Sequence, residues 1–336
     1  MDSPETRPEA PVAEGIPDEA TIFGVSKAMA QVRKKAERIA PTDIPILIRG
    51  ESGTGKEVIA KFLHMHSLVH DGPFVKVNCA AIPGPLLESE LFGYEKGAFT
   101  GALETKPGRV ETANDGTLFL DEIGDMASDL QTKLLHLLQD GTFSRIGGRE
   151  TLRAKLRILC ATHCDLEMAI EKGTFRQDLF YRIDVVSLNL PPLRERREDI
   201  ELLVDFLFAK LSRKFLREVP PPSKAVLALL QKWNWPGNIR ELENWVARYI
   251  ILGSEQVMNS DVRPRVTPEE APEQPRTAGP VQLKVLAREA ALAAERTLIL
   301  RSLEANQWNR RKAARELHIS YRALLYKIRD AGLSDR

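Results

Sequence analysis

One short glycine-rich stretch constrains the fold of this chain more than any other feature. It consists of Gly50, Glu51, Ser52, Gly53, Thr54, Gly55 and Lys56. The apolar run 46–48 before it predicts a buried strand, and the periodicity of residues 57–66 after it predicts a helix. In this context the spacing G-x-x-x-x-G-K is typical of a phosphate-binding loop, whose glycines let backbone N–H groups approach phosphate oxygens. The helix N-terminus and Lys56 add positive charge, so the stretch predicts a nucleoside triphosphate site.

The sequence around this loop alternates short apolar runs with helical patterns. The apolar runs are residues 46–48, 74–77, 118–120, 157–161 and 185–188. Helical periodicity lies between them, as in residues 57–66 and 130–139. This alternation predicts an α/β fold over residues 21–192, in which helices flank both faces of a parallel sheet.

The pattern becomes helical throughout after Pro191 and Pro192. A small all-helical subdomain is predicted over residues 193–258, with helices at 199–215, 223–232 and 238–252. Residues 259–282 contain five prolines and few hydrophobic residues, a composition typical of a linker. A further all-α domain is predicted over residues 283–336, beginning with a long Ala/Leu-rich helix.

Charge is distributed unevenly along the chain, although the net charge is only +1. Residues 1–20 hold six acids and one base, and they are predicted to be a disordered acidic leader. Residues 306–330 hold seven bases and two acids. A basic C-terminal segment of this kind indicates nucleic acid as a partner.

The three cysteines, Cys79, Cys160 and Cys164, have no metal-ligand spacing and are too few for a disulfide framework. Cys79 and Cys160 lie in apolar runs, where a free cysteine is usually a small core residue. Reduced thiols favour a cytoplasmic location. The acidic, Pro-rich start does not fit a signal peptide, and no apolar run approaches the about 20 residues of a membrane span.

An apolar strand that ends in two acids follows the phosphate loop by some 65 residues. Asp121 and Glu122 come directly after the run 116–120. Asp121 is predicted to hold Mg²⁺ through water, and Glu122 to polarise the attacking water as general base. Glu57 stands where phosphate loops usually carry a Ser or Thr magnesium ligand, which shifts the metal toward the downstream acids. The candidate metal ligands are therefore Asp121 and Glu57.

A second glycine-bounded loop lies between these two motifs. It consists of Gly97, Ala98, Phe99, Thr100, Gly101 and Ala102. Taken alone, it is a flexible loop with one exposed aromatic residue. Letter for letter, it resembles the signature loop of the sigma-54-dependent transcriptional activators, the bacterial enhancer-binding proteins of the AAA+ class. Further segments resemble this family in the same order, at residues 50–57, 88–93, 175–179, 181–182 and 235–242.

The resemblance covers residues 22–255 and, more loosely, the C-terminal end. It implies an AAA+ sheet subdomain, a helical lid and a Fis-type helix-turn-helix domain. It also implies an ATPase that uses ATP and Mg²⁺ to remodel the closed complex of the sigma-54 RNA polymerase holoenzyme into an open complex. The implied partners are that polymerase, enhancer double-stranded DNA and further copies of the chain, from a dimer to a hexameric ring. Residues 97–102 would contact sigma-54, and a second loop at residues 145–148 would move with them.

The resemblance also assigns roles to residues that surround the catalytic acid. Asn78 matches a residue that holds Glu122 in an inactive pose until nucleotide and partner are in place. Thr162 and His163 match the strand end that senses the γ-phosphate. Of these two, Thr162 has more weight, because Asn is also common at the His163 position.

Three arginines match residues that act on the γ-phosphate. Arg176 and Arg182 match arginine fingers, which would reach the γ-phosphate of the neighbouring subunit and make ATPase activity depend on assembly. Arg240 in the lid matches sensor II. Without the resemblance, each of the three would be interpreted as a surface charge.

The basic C-terminal segment predicts two short helices joined by a turn. Asn309 is predicted to cap the first helix, and Ser320 the second helix, over residues 321–330. This arrangement fits a helix-turn-helix and resembles the Fis-type domain of the same activators. The candidate DNA-binding residues are Arg310, Arg311, Lys312, Ser320, Tyr321, Arg322, Tyr326, Lys327 and Arg329. A basic helical hairpin that only dimerises is the alternative.

The core of this small domain is predicted from its apolar residues. Ala314 is the small residue where the two helices touch, and the core is completed by Ile319, Leu324 and Ile328. His318 departs from the glycine usual at the turn. Pairing with a second chain is predicted through Leu292, Ile299 and Leu303, which would give the two-fold symmetry of palindromic sites.

Other candidate residues have a structural interpretation. His64, His66 and His70 lack an acid or cysteine at metal spacing and are predicted to lie on a helix surface. Trp233 and Trp235 are predicted to pack the lid rather than to stack on a base.

Two alternative functions are open from the sequence. A AAA+ chaperone, protease partner or helicase motor would need a pore loop or substrate domain in place of residues 97–102, and would leave the DNA-binding end unexplained. A DNA-binding regulator with a vestigial ATPase would have lost Glu122 or the Phe99 loop. Regulation is also open: either a regulatory partner acts in trans, or this chain lacks a domain of the native protein.

Overall fold

A computed structural model describes residues 17–253, Ser302, Asn306, residues 309–316, Tyr321 and Leu324. The chain divides into two compact units, residues 1–263 and residues 264–336. Among the described residues, no helix combines the length and the apolar character needed to cross a bilayer.

The first unit is built on a parallel five-stranded sheet. In chain order the strands of this unit are β1 Ile46–Arg49, β2 Phe74–Asn78, β3 Gly93–Tyr94, β4 Lys106–Pro107, β5 Thr117–Asp121, β6 Thr142–Phe143, β7 Leu152–Arg153, β8 Arg157–Thr162 and β9 Val186–Asn189. The five-stranded sheet has the order β2, β5, β8, β1, β9, and all four pairings are parallel. The pairs β3–β4 and β6–β7 form two small antiparallel ribbons. The predicted fold class is thereby confirmed for this unit.

Eleven described helices accompany these strands. They are α1 Glu19–Phe23, α2 Lys27–Ile39, α3 Lys56–Met65, α4 Gly84–Phe92, α5 Arg109–Thr112, α6 Ser128–Asp140, α7 Leu166–Glu171, α8 Gln177–Ile183, α9 Ile200–Phe215, α10 Lys224–Lys232 and α11 Asn238–Leu252. The helix α1 includes the last two residues of the predicted leader, because Asp18 accepts a hydrogen bond from the Thr21 backbone N–H and caps the helix at that point.

The sheet is buried on both faces, which explains why its strands are continuous apolar runs. Successive residues of a strand point to opposite faces. Leu118 and Leu120 therefore belong to one core cluster, whereas Phe119 between them belongs to the other. The helices α9, α10 and α11 enclose a third core that includes Trp235. Trp233 packs against that core, so both tryptophans pack the lid as predicted.

Two of the cysteines confirm their predicted role. Cys79 and Cys160 are buried in the core, and burial raises the pKa of the Cys79 thiol to about 12. The prediction that His64 lies on a helix surface is wrong. This residue is buried, because its face of α3 packs on the sheet, and its Nδ1 lies 2.9 Å from the Thr117 hydroxyl.

In the second unit, α12 spans Arg310–Glu316. Asn309 caps it as predicted, since its side-chain oxygen accepts a hydrogen bond of 3.3 Å from the Lys312 N–H. Ala314 and Leu324 are buried, while Lys312 and Tyr321 are exposed. Some predictions lie outside the described residues: Ser320, Arg322, Tyr326, Lys327 and Arg329 among the DNA-binding candidates, the side chain of Arg311, residues 1–16, the linker, and Leu292, Ile299, Leu303, His318, Ile319 and Ile328.

Candidate nucleotide-binding and active site

The phosphate loop connects the end of β1 to the start of α3, as predicted. Gly53 and Gly55 have φ angles of +82° and +102°, which favour glycine. Lys56 is the first residue of α3 and only 6% exposed. Its Nζ donates to the Gly50 carbonyl oxygen at 2.9 Å and lies 3.3 Å from Glu122 Oε1. The loop therefore gathers a lysine and a helix N-terminus at the carboxyl edge of the sheet, where parallel α/β sheets bind ligands.

Glu122 follows β5 in a left-handed conformation, with φ of +55°. Such a backbone is rare for glutamate and is typical of functional sites. Its Oε2 accepts hydrogen bonds from His163, at 2.6 Å from Nδ1 and 3.2 Å from the backbone N–H. Burial raises the pKa of Glu122, but the His163 hydrogen bond and then the charge of Lys56 outweigh burial, so the pKa lies below its ordinary value. In this arrangement the carboxylate is ionised and engaged by its neighbours.

The residues expected to control Glu122 differ from those that touch it. Asn78 accepts hydrogen bonds at its Oδ1 from the backbone N–H groups of Ala80 and Ala81, at 3.0 and 3.1 Å. Thr162 is buried, and its hydroxyl accepts a hydrogen bond from the Cys164 N–H. The side chain that contacts Glu122 is therefore His163, which had less weight than Thr162 in the prediction. The sensing roles of Asn78 and Thr162 stay predictions.

The two candidate metal ligands are Glu57, in the first turn of α3, and Asp121, at the end of β5. A third side chain, Lys76 of β2, lies between them, with its Nζ 2.6 Å from Glu57 Oε2 and 3.4 Å from Asp121 Oδ2. Those two oxygens are therefore at most 6.0 Å apart. Mg²⁺ takes oxygen ligands and usually keeps several waters, so the chemistry of these two carboxylates fits a hydrated ion.

The lid contacts the phosphate loop at successive residues. Arg240 Nη1 donates to the Ser52 hydroxyl at 2.8 Å, and the Ile239 N–H donates to the Gly53 carbonyl at 2.9 Å. Arg240 thus contacts the loop, and its role as sensor II stays a prediction. Arg196 adds a hydrogen bond from its Nη2 to the Thr54 carbonyl, at 2.8 Å.

Glu51 of the phosphate loop is engaged by protein groups. Its two carboxylate oxygens accept hydrogen bonds of 2.6 and 2.9 Å from Arg194, and Asn238 Nδ2 adds a third of 3.1 Å. The Arg194 and Asn238 hydrogen bonds lower the pKa of Glu51. Its side chain ties the loop to the lid, while its role in nucleotide binding stays a prediction. Arg194 was not predicted from the sequence, whereas Asn238 lies in the family-like segment 235–242.

A cavity of about 170 Å³ adjoins the phosphate loop between α1, α3 and the lid. Apolar side chains dominate its wall, including Ile22, Val58, Ile239 and Phe206. Thr54 and Gly55 of the loop also line it. An apolar slot beside a phosphate loop can take the flat base of a nucleotide. No residues for binding a base were predicted from the sequence, because the residues that line this cavity come from three separate parts of the chain.

The two predicted arginine fingers lie at the ends of α8. The Arg176 N–H donates to Oε1 of the buried Gln131 at 2.8 Å, and its guanidinium pairs with Asp178 at 2.6 Å. Arg182 donates from Nε and Nη2 to the Leu138 carbonyl. Among their described contacts, none is with the phosphate loop or Glu122. Their own chain therefore does not bring these arginines into its nucleotide site.

The Phe99 loop projects from the β3–β4 ribbon. Gly97 and Gly101 have φ angles of +83° and +109°, and a Cβ added at either would meet nothing within 4 Å. Phe99 is 46% exposed, and its ring centroid lies 5.0 Å from that of Tyr94. Thr100 is also exposed, whereas Ala102 is buried. Ala102 is therefore a buried residue between the exposed Gly101 and Leu103, the latter 79% exposed, and its part in the predicted contact surface stays a prediction.

The second loop packs against the base of the first. The Glu95 N–H donates to the Ile146 carbonyl, and the Ile146 N–H donates to the Gly93 carbonyl, each at 3.0 Å. Arg145 pairs with Glu95 at 2.8 Å and with Glu111 at 2.6 Å. These contacts make the two loops one structural unit, as the prediction that they move together requires.

Known protein families match three consecutive parts of the chain. Residues 22–189 match the Sigma-54 interaction domain. Residues 194–279 match the AAA+ ATPase lid domain, and residues 292–330 match the bacterial regulatory proteins of the Fis family.

Individual proteins match almost the whole chain. Regulatory protein AtoC of Escherichia coli is 46% identical over 313 residues, which cover 93% of this chain and 68% of AtoC. The Nif-specific regulatory protein of Azotobacter vinelandii is 43% identical, over 95% of this chain and 60% of that protein. The crystal structure of NtrX from Brucella abortus in complex with ATP superposes with a TM-score of 0.67 at 36% identity, over 92% of this chain and 68% of NtrX.

Proposed function

Because this chain belongs to the family of sigma-54-dependent transcriptional activators, we propose that it hydrolyses ATP to remodel the sigma-54 RNA polymerase closed complex into an open complex. One observation carries the proposal: the phosphate-site residues and an exposed Phe99 loop belong to the same compact unit. Lys56, Glu122 and Arg240 converge on the phosphate loop. Phe99 and Thr100 are exposed to a partner.

ATP is the nucleotide in this proposal, and its phosphates lie on the N-terminus of α3. Lys56 and backbone N–H groups bind the phosphates, while the apolar cavity takes the base. Glu57 and Asp121 hold Mg²⁺, which neutralises phosphate charge when bound. Glu122 accepts a proton from the attacking water. Release of its Oε2 by His163 would make it a stronger base, since a carboxylate oxygen that accepts two hydrogen bonds is a weaker base.

The arginine fingers explain why assembly is part of the proposal. Arg176 and Arg182 are exposed enough to move and are held by contacts within their own chain. In a ring they reach the γ-phosphate of the neighbouring copy and supply transition-state charge. We propose self-association up to a hexamer, with hydrolysis dependent on it.

A short path joins the nucleotide edge to the Phe99 loop. The Cys79 N–H donates to the Asp121 carbonyl at 2.9 Å, so the chain after β2 is tied to the end of β5. Helix α4 follows at Gly84 and runs directly into β3, which carries the loop. A shift at the end of β5 can therefore reach the loop through one helix, and burial of Phe99 against sigma-54 is the output. The Fis-type domain binds enhancer DNA and brings this output near the promoter.

The proposal is tested with purified full-length protein, sigma-54 holoenzyme and promoter DNA that carries an enhancer. Permanganate footprinting of melted bases should show open complexes that require ATP hydrolysis. Thr100→Ala should lose these complexes and keep its ATPase rate within about twofold, because Thr100 is exposed and has no described contact with the phosphate loop or Glu122.

Thr132→Ala, a partly exposed threonine of α6, is the matched control and should keep both activities. Open complexes in the Thr100→Ala variant would contradict the role of the loop. Activation of polymerase that lacks sigma-54 would instead support the regulator with a vestigial ATPase.

A further inference from the structure

Lys76 makes two ion pairs that the proposed chemistry does not use. Its ammonium bridges Glu57 and Asp121, the two carboxylates that fit a divalent cation. It is about one-third exposed, so it contacts both acids and solvent. A lysine in contact with both candidate metal ligands calls for a physical explanation.

The fold places Lys76 there through strand register. Lys76 pairs with Phe119 of β5, which belongs to the core cluster on the α3 side of the sheet. Asp121 lies two residues beyond Phe119 and thus shares that face. The first turn of α3 carries Glu57 over the same face. Strand and helix therefore direct all three charged side chains to one point.

Each of the three carboxylates at this edge of the sheet is paired with at least one basic side chain. Glu122 contacts Lys56 and His163, and Glu57 contacts Lys61 as well as Lys76. Among the described ion pairs, Asp121 has Lys76 as its partner. The cations oppose repulsion between carboxylates that the fold brings together.

We infer that Lys76 occupies the place of the divalent cation between Glu57 and Asp121 and competes with it. An ammonium is a compact, hydrated point charge, and Mg²⁺ also needs close oxygen contacts. The two cations repel each other, so they cannot both occupy the gap between the same two oxygens. Metal binding is therefore weak until the phosphates of ATP supply further oxygen ligands. Lys76 makes metal entry depend on nucleotide, a role that rests on the proposed ATPase function.

The test measures metal binding without nucleotide and without turnover. Mn²⁺ alone is titrated into the full-length protein and the free ion is counted by electron paramagnetic resonance. Lys76→Gln should lower the Mn²⁺ dissociation constant at least about tenfold, because a repelling unit charge within a few ångströms is removed. Lys76→Met should give the same gain, and Lys76→Arg should stay close to the parent.

Lys61→Gln is the matched control. Lys61 contacts Glu57 at its other oxygen, Oε1, at 2.8 Å, and has no described contact with Asp121. This change should alter the dissociation constant by less than about threefold, since the gap between the two acids stays occupied. If Lys61→Gln and Lys76→Gln raised the Mn²⁺ affinity equally, the loss of one positive charge would explain the effect. That result would overturn the inference.

Unchanged or weaker Mn²⁺ binding in both Lys76→Gln and Lys76→Met would also overturn it. Thermal melting of each variant checks that the sheet is intact. The two proposals fail separately. A chain that forms open complexes while Lys76→Gln binds Mn²⁺ like the parent loses only this inference, and a chain without ATPase activity whose Lys76→Gln gains metal affinity loses only the proposed function.

Discussion

Residues 50–56 and residues 97–102 are two glycine-rich loops of one subdomain, and glycines of both have left-handed backbones. Gly53 and Gly97 have almost the same φ, +82° and +83°. A Cβ on Gly53 would lie 2.4 Å from the Gly237 carbonyl oxygen of the lid, whereas a Cβ on Gly97 would meet nothing within 4 Å. The surroundings of the two glycines therefore differ far more than their conformations.

This difference separates two uses of glycine. In the phosphate loop, glycine allows close approach: lid, lysine and backbone meet there, and the geometry for phosphate is fixed by contacts. In the Phe99 loop, glycine allows only a backbone shape, and the tip is left exposed. A fixed loop suits catalysis, which depends on positioning, and an open loop suits contact with a partner that must come and go.

The largest expected effect is a difference in ATP affinity between the Gly53→Ala and Gly97→Ala variants. Both changes force alanine into a left-handed conformation, at a similar cost of about 1–2 kcal/mol. Only Gly53→Ala must also displace the lid, so ATP affinity should fall at least about 100-fold, while Gly97→Ala should keep it within about twofold. Titration with a fluorescent ATP analogue measures both.

Equal losses in the two variants would mean that backbone conformation, rather than space, decides the role of Gly53. No loss in either would remove the contact between Gly53 and the lid as a determinant of binding.

Glu122→Gln should slow ATP hydrolysis while both loops keep their structure. The amide keeps the shape of the side chain but cannot accept a proton, so the turnover number should fall about 100-fold or more. ATP affinity should change by less than about threefold, since Lys56 and the backbone still bind phosphate. Single-turnover hydrolysis and analogue titration separate the two effects.

The exposed Glu171 of α7 provides the control, as Glu171→Gln should leave both quantities unchanged. Normal turnover in Glu122→Gln would remove this residue as the base.

The elements of the fold were predictable because their signals are local. Each core strand was a short apolar run in the sequence. The ends of β1 and α3 lie within one residue of the predicted ends. Pairings between distant residues gave no such signal. The Glu51–Arg194 pair joins residues 143 apart, and the His163–Glu122 pair joins residues 41 apart.

His64 shows the same limit on a small scale. Its sequence neighbours fit an exposed helix face, and only the position of β5 shows that its ring packs against Thr117. The contact between Lys76 and two acids likewise depends on strand register, which no single segment encodes. The phosphate-loop spacing and the acids after β5 located the site, resemblance to a family added roles to individual residues, and the geometry decided which side chains touch.

Arg145→Met should give the smallest effect, and it tests whether the open loop is held only at its base. The guanidinium joins Glu95, next to the Phe99 loop, to Glu111, and all three side chains are partly buried. Loss of these ion pairs should speed amide hydrogen exchange over residues 93–102 about tenfold, while ATP affinity stays within about twofold. Arg153→Met on β7, an exposed arginine of the neighbouring ribbon, is the control and should leave the exchange unchanged. Unchanged exchange in Arg145→Met would mean that the backbone hydrogen bonds at Ile146 hold the loop without the arginine. A large loss of ATP affinity would contradict the comparison of the two loops more strongly. It would mean that a change at the base of the Phe99 loop also disturbs the phosphate loop, although the surroundings of the two loops differ.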